Sequence, residues 1–201
     1  HKTAPVELRE RLAFSKDETA ATLEALQEYP AIREVLLIST CNRVEVLMAT
    51  ENKTNAVENV KTYISEFKNV PVTQFDKALY LKEGDEAVRH IFRVASSLDS
   101  MMVGEPQILG QIKEAYRMAT FKKTSGVILN RLLHRTFFVS KRVRSETGIG
   151  DHAVSISYAA IELGRKIFGS LEGKKALLIG AGEMAELVVE QLIRNRVRDI
   201  I

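Results

Sequence analysis

The chain has 201 residues, 45% hydrophobic and 27% charged, with a formal net charge of +3, the composition of an ordinary globular protein of one large domain or two smaller ones. No apolar run approaches the ~20 residues that span a bilayer and no signal peptide opens the chain, so a cytoplasmic location is expected. The single cysteine, Cys41, excludes an internal disulfide framework, and four scattered histidines leave it few partners for a structural zinc site.

The chain opens His1-Lys2-Thr3-Ala4-Pro5 without an initiator Met and stops as an apolar stretch begins at 197–201, so it reads as a piece of a longer protein. Ser15-Lys16-Asp17-Glu18 has the form of a capping box and predicts a helix of about 14 residues that stops near Tyr29-Pro30. Segments 33–40 and 43–49 are β-rich. In the second, Val44, Val46 and Met48 alternate with Glu45 and Leu47, as in a half-buried strand. A helix over 54–68, with Val57, Val60, Ile64 and Phe67 on one stripe, precedes a short strand at Leu79 to Lys82 ended by Gly84. With a first strand lying before His1, the order is β-α-β-β-α-β, a split βαβ or ferredoxin-like unit, and Cys41 falls in the tight connection between its second and third strands.

A helical stretch follows. Asp85 is expected to cap a helix whose core face is Val88, Ile91, Phe92, Ala95 and Leu98. After a loop at 99–105, Pro106 fits the first turn of a helix with Ile108, Leu109, Ile112, Ala115 and Tyr116 inward. A third helix spans about 127–146, with Leu129, Leu132, Leu133 and Val143 inward. Lys122-Lys123, Arg131, Arg135, Lys141-Arg142 and Arg144 make this region basic, either as a solvated helix face or as a phosphate-contacting surface. Gly148-Ile149-Gly150 is a break, and Asp151 caps a connector helix over about 153–168.

The continuous apolar strand 175–179 runs into Gly180-Ala181-Gly182-Glu183-Met184-Ala185, and 186–194 reads as a helix. Strand, Gly-x-Gly-x-x-Ala and helix together open a dinucleotide-binding βαβ unit, in which the glycines permit a tight turn and close approach of a pyrophosphate to the helix N-terminus. The residue that reads the ribose lies past Ile201, so these residues do not distinguish NAD from NADP. The expected fold is α+β: a ferredoxin-like split βαβ catalytic domain with added helices over 1–149, a connecting helix over 150–168, and the start of an α/β Rossmann domain over 169–201.

Cys41 closes the apolar run Val35-Leu36-Leu37-Ile38 within Ser39-Thr40-Cys41-Asn42-Arg43. Two readings stand: a bland buried thiol, or a nucleophile. Thr40, Asn42 and Arg43 are hydrogen-bonding residues at the tip of a strand pair, where a scaffold presents chemistry to solvent. Arg43 favours thiolate if its guanidinium reaches the sulfur; a surface pair with Glu45 is its competing role. A thiol nucleophile joined to a dinucleotide domain suggests thioester chemistry followed by hydride transfer.

The chain resembles the glutamyl-tRNA reductases through His1-Lys2-Thr3-Ala4-Pro5, Ser39-Thr40-Cys41-Asn42-Arg43, Arg89-His90-Ile91-Phe92-Arg93-Val94-Ala95-Ser96, Gly104-Glu105-Pro106-Gln107-Ile108-Leu109-Gly110-Gln111-Ile112-Lys113 and Gly180-Ala181-Gly182-Glu183-Met184. The resemblance implies reduction of glutamyl-tRNA to glutamate-1-semialdehyde with NADPH, early in tetrapyrrole synthesis, with Cys41 as the nucleophile that forms a glutamyl thioester. It implies a substrate loop of Thr40, Asn42 and Arg43, with Arg43 on a carboxylate. Ser100, Glu105, Pro106, Gln107 and Gln111 match further substrate-contacting positions, Glu105 facing the α-ammonium and Pro106 positioning its loop. His90 matches a histidine near the reaction centre, where it raises the thiolate fraction or protonates the leaving ribose oxygen. Gly180, Ala181, Gly182, Glu183, Met184 and Ala185 match the NADPH-binding turn. A homodimer held by a C-terminal segment and channelling of product to the next pathway enzyme are also implied. Two other readings compete: a non-catalytic module that binds tRNA or a partner enzyme through 122–144, and a Cys-dependent aldehyde dehydrogenase. The latter is disfavoured by the thiol lying about 140 residues before the dinucleotide motif, in a separate unit.

Overall fold

A computed structural model of the chain describes residues 3–100, 103–105, 107–147, 149 and 156–201. His1, Pro106 and the Asp151 cap lie outside the described residues. After the short helix α1 (Val6–Leu12), α2 (Lys16–Gln27) begins with the expected reciprocal cap: Ser15 Oγ accepts from the Glu18 N–H at 3.2 Å and Glu18 Oε2 accepts from the Ser15 N–H at 2.7 Å. Strands β1 (Glu34–Ser39) and β2 (Val44–Ala49) then pair antiparallel, Glu34 opposite Ala49 and Ser39 opposite Val44. Helix α3 (Lys53–Lys68), the single turn α4 (Val72–Phe75), and helices α5 (Asp85–Ala95), α6 (Gln107–Phe121) and α7 (Val127–Glu146) complete the first unit.

The core is built on β1. Val35, Leu36, Leu37 and Ile38 are each at most 1% exposed; alternate residues of a strand point to opposite faces, so both faces are covered. Helices α2, α6 and α7 pack on this strand, and each such buried side chain contributes about 1.5–3 kcal/mol. The outer edge of β1 is closed by Thr124, whose Oγ1 donates to the Val35 carbonyl (2.9 Å) and whose carbonyl accepts from the Val35 N–H (2.8 Å). At its start, the buried Glu34 carboxylate accepts from the N–H groups of Ile128 (3.0 Å) and Leu129 (2.7 Å), capping α7, whose N-cap Gly126 has no side chain to offer. Along α7, Thr136 and Ser140 are buried with their hydroxyls returned to the Leu132 and Thr136 carbonyls (2.8 Å each), leaving a small-residue face for α5.

Several sequence expectations change. Leu79 to Lys82 is not a strand: among the described residues it has no ladder partner, and Leu79, Tyr80 and Leu81 stand about half exposed. Among the described residues the sheet of the first unit is the β1–β2 hairpin alone. Gly84, at φ +53°, is the N-cap of α5 and Asp85 its first residue, and the buried face turns to Ile91, Val94 and Ala95, with Leu98 exposed beyond the helix end. In α3 the buried residues are Ala56 and Val60. Phe67 instead stacks at the surface on Tyr63 and Phe14 (5.5 and 5.8 Å), with the Lys68 ammonium 4.1 Å from the Phe14 ring centroid.

The second unit contains α8 (Ile156–Phe168), β3 (Lys175–Ala176), α9 (Glu183–Arg194) and β4 (Asp199–Ile200). β3 and β4 run parallel, Lys175 opposite Asp199, joined through α9 as a βαβ crossover. Ile161 of α8 shares a small core with Leu171, Val197, Ala176, Leu192 and Ile200. The ladder strand is shorter than the apolar run 175–179 suggests, although the Leu178 N–H still reaches the Ile201 carbonyl at 2.7 Å; Leu177 and Ile179 are exposed. α9 starts at Glu183 rather than 186, because the extended Gly182 serves as its N-cap. Among the described residues, no helix is long and apolar enough to cross a membrane.

Candidate active site at the hairpin tip

The β1–β2 connection is a four-residue turn that its own side chains hold. The Thr40 N–H donates to the Arg43 carbonyl (2.8 Å), and Thr40 Oγ1 accepts from the N–H groups of Asn42 (3.2 Å) and Arg43 (3.1 Å). Cys41 is carried at the crest and is exposed, so the buried-thiol reading does not hold. Arg9 of α1 reaches across to this turn, donating from Nη1 to Asn42 Oδ1 at 2.6 Å and to the Cys41 carbonyl at 3.4 Å.

Beneath the turn lies a charged cluster. Arg43 and Glu45, two residues apart on one strand edge, share a face. Their pair closes at 2.5 Å with the side chains only 9% and 11% exposed, so it is a nearly buried ion pair and not a surface one. Arg43 Nη2 also donates to the Asp99 carbonyl and stands 3.9 Å from Asp99 Oδ2. The guanidinium is therefore engaged by Glu45 and Asp99, and among the described residues it makes no hydrogen bond to Cys41.

His90 projects from α5 onto the same carboxylate: Nε2 lies 3.0 and 3.1 Å from the two Glu45 oxygens and 3.2 Å from the Tyr80 hydroxyl, while Nδ1 lies 3.8 Å from Asp99 Oδ2. The imidazole meets the Tyr80 ring edge-on at 5.3 Å. Burial pushes the Glu45 carboxyl up, but hydrogen bonds from His90 and Tyr80 and the positive charge of Arg43 outweigh it and hold the group below the usual carboxylate range. Tyr80 donates to Glu45, and burial together with that negative charge pushes its phenol well above its ordinary value. Among the described residues no hydrogen bond links His90 to Cys41.

Of the other predicted residues, Ser100 follows Asp99 and is half-buried, as is Glu105. Gln107 and Gln111 sit one turn apart on α6. The intervening loop is closed by the Gly104 N–H on the Ser97 carbonyl (3.1 Å), with Gly104 at φ +88°, and Arg144 Nη1 donates to the Gly104 carbonyl at 3.1 Å. Pro106 lies outside the described residues. In the second unit, Gly180 has φ +116° and Gly182 caps α9; a Cβ built on either meets nothing within 4 Å, so Gly180-Ala181-Gly182 borders open space at a helix start that no side chain caps among the described residues. That arrangement fits a pyrophosphate on the backbone N–H groups of Glu183 and Met184, the Ala185 N–H being taken by the Gly182 carbonyl at 2.8 Å. Among the described residues no group of three His, Cys, Asp or Glu is placed to hold a metal ion.

Sequence inspection missed Arg9, Glu45, Tyr80 and Asp99 as site residues. Only Glu45 carried a local signal, the Arg43-x-Glu45 spacing that puts opposite charges on one strand face. Arg9, Tyr80 and Asp99 arrive from distant segments.

The molecule thus combines a hairpin-borne thiol over a buried ion-pair cluster with a nucleotide-type βαβ start. The family model described as glutamyl-tRNAGlu reductase, N-terminal domain, matches residues 1–147, and that of shikimate / quinate 5-dehydrogenase matches residues 162–201. The chain therefore belongs to the glutamyl-tRNA reductase family. It is 59% identical over 196 residues to the glutamyl-tRNA reductase of Desulfatibacillum aliphaticivorans (98% of this chain, 45% of the relative) and 55% identical over 202 residues to that of Syntrophobacter fumaroxidans (100% and 44%). The solved structure of glutamyl-tRNA reductase from Methanopyrus kandleri matches with a TM-score of 0.65 at 38% identity, over 100% of this chain and 46% of that one. The chain spans about half the length of the curated relatives it matches.

Proposed function

We propose that, within the full-length protein, this chain supplies the thioester-forming part of an NADPH-dependent reduction of glutamyl-tRNA to glutamate-1-semialdehyde, the first committed step of tetrapyrrole synthesis. The observation that carries the reading is the exposed Cys41 at the crest of a turn fixed by Thr40 and Arg9. Residues 1–149 form the catalytic, tRNA-binding domain, 150–168 the connector, and 169–201 the opening of the cofactor domain. The β1–β2 hairpin is the edge half of a ferredoxin-like sheet completed on the β2 side, in the longer protein, by a strand before residue 1. That strand would also give the extended 79–82 segment its ladder partner.

The Cys41 thiolate attacks the carbonyl carbon of the aminoacyl ester; a C–S bond forms, the ester C–O bond breaks, and tRNA leaves through its ribose oxygen. His90, oriented by Glu45 and Tyr80, delivers the proton that this oxygen takes. Arg43 holds the substrate carboxylate: a guanidinium has five N–H donors, and the bonds to Glu45 and Asp99 fix its orientation. Asn42, Ser100, Pro106, Gln107 and Gln111 complete the substrate pocket, and Glu105 faces the α-ammonium. The Gly180–Ala185 turn would hold NADPH, which would supply a hydride for the thioester carbonyl carbon. Cys41 then departs as thiolate while the C–S bond breaks and the aldehyde is released. A C-terminal segment dimerises the full-length protein, which passes the aldehyde to the next pathway enzyme.

The full-length Cys41→Ala variant tests this reading. It is expected to lose NADPH oxidation with glutamyl-tRNA while keeping the fold and tRNA affinity within about twofold. Retained turnover would overturn the reading in favour of a thiol-independent function.

A further inference from the structure

Between α6 and α7 runs an open groove of about 710 Å³ in which Lys113, Lys141 and Arg144 surround Phe137 and Phe138. Among the described residues no carboxylate lines it. Helix α7 carries Arg131, Arg135, Lys141, Arg142 and Arg144 against one acid, Glu146, and that acid is taken by Arg142 at 2.7 and 2.9 Å. Lys113 and Lys141 are exposed, and among the described residues neither meets a carboxylate. Phe138 stands 50% exposed, with the guanidinium carbons of Arg135 and Arg142 at 5.1 and 6.0 Å from its ring centroid. Arg131, Arg135 and Arg142 share one face of α7 with Phe138 over ~17 Å at 1.5 Å per residue, and Lys141 and Arg144 lie round on the side that lines the groove.

Unneutralised cations interleaved with an exposed ring suit a polyanion that also has flat faces to stack, which is a nucleic-acid strand. A solvated helix face needs no exposed phenylalanine, and an acidic protein partner, which could use the ring and the cations too, would leave the salt dependence of tRNA binding unmoved by these residues. The groove also adjoins the substrate loop. Arg144, which lines the groove, holds the Gly104 carbonyl next to Glu105. We infer that the α6–α7 groove binds the RNA body of the substrate, Lys113, Lys141 and Arg144 on backbone phosphates and Phe138 under a base, while the acylated end lies at Cys41. This rests on the reductase reading above.

The test is tRNA binding by the full-length protein, with glutamyl-tRNA and deacylated tRNA as probes at several salt concentrations. Lys113→Glu/Lys141→Glu is expected to weaken both by at least tenfold and to lower the slope of log K against log salt by about 2, one for each backbone phosphate the lysines no longer neutralise. The loss should appear in KM rather than kcat. Phe138→Ala should weaken binding about fivefold or more with the slope unchanged. Both lysines are exposed, so an unaltered melting curve accompanies these results. Unchanged affinity and slope in both variants would overturn the inference and leave the groove to another part of the longer chain or to a protein partner. If that happens while Cys41 still accepts a glutamyl group, the inference fails and the reductase reading stands. If the unaltered protein binds no tRNA, both fail.

Discussion

Arg9 Nη1 lies 2.6 Å from Asn42 Oδ1 and 3.4 Å from the Cys41 carbonyl, so the first helix of the chain sets the conformation of the loop that presents the thiol. Sub-ångström placement of a nucleophile carries large rate factors. Arg9→Ala is expected to slow single-turnover acylation of Cys41 by about ten- to a hundredfold with little change in KM, and Arg9→Lys to recover part of the loss. Equal acylation rates in all three proteins would contradict a positioning role.

Thr40 makes the same argument from within the turn. Its hydroxyl is the shared acceptor for the Asn42 and Arg43 N–H groups, and Thr40→Val removes that acceptor at constant shape. A cost of about 1–2 kcal/mol and a drop in kcat of at least tenfold are expected, with Thr40→Ser close to the original. Urea titration and steady-state kinetics on the two variants separate hydroxyl from methyl.

Glu45 is the anion on which Arg43, His90 and Tyr80 converge. Glu45→Gln should lower stability by about 1–3 kcal/mol near neutral pH, since one buried charge-assisted set is weakened at once. The sign of the pH dependence follows from the lowered pKa of the folded carboxyl. Its contribution is complete above the ordinary carboxylate value of 4.5 and is lost as pH falls through the lower folded value. The stability gap between the two proteins should therefore close as pH drops from the ordinary carboxylate value of 4.5 through the lower folded value. A gap that widens on acidification would contradict the account.

What the sequence shows and what it hides divides by range. The Ser15–Glu18 cap, the hairpin around Cys41 and the span of α7 rest on neighbours within a few residues, and these are legible. The expected strand at 79–82 fails because a strand exists only with a partner, and alternation cannot say whether the partner is there. The burial of Arg43 against Asp99, and the arrival of Arg9 and Tyr80 at the same place, depend on contacts 10 to 56 residues apart. No local periodicity records them. The thiol's exposure was likewise undecidable from the apolar run before it, since the run ends before Cys41.

Glu34 and Gly126 form another such long-range relation. An ideal Cβ on Gly126 would fall 2.6 Å from Glu34 Oε1, the oxygen that caps Ile128. Gly126→Ala should therefore cost about 1–3 kcal/mol by displacing the cap, and Glu34→Ala a similar amount by leaving two N–H groups unpaired. Because both act on one carboxylate, the double variant should cost less than the sum. Additive losses in chemical denaturation would contradict the shared-cap account.

The central claim is that Cys41 accepts the glutamyl group. Mass spectrometry of the full-length protein after incubation with glutamyl-tRNA and no NADPH tests it most directly. The account predicts a mass increase of one glutamyl group, mapped to the Cys41 peptide and absent in Cys41→Ala. A protein that makes the aldehyde yet shows no adduct, or carries it on another residue, would contradict it.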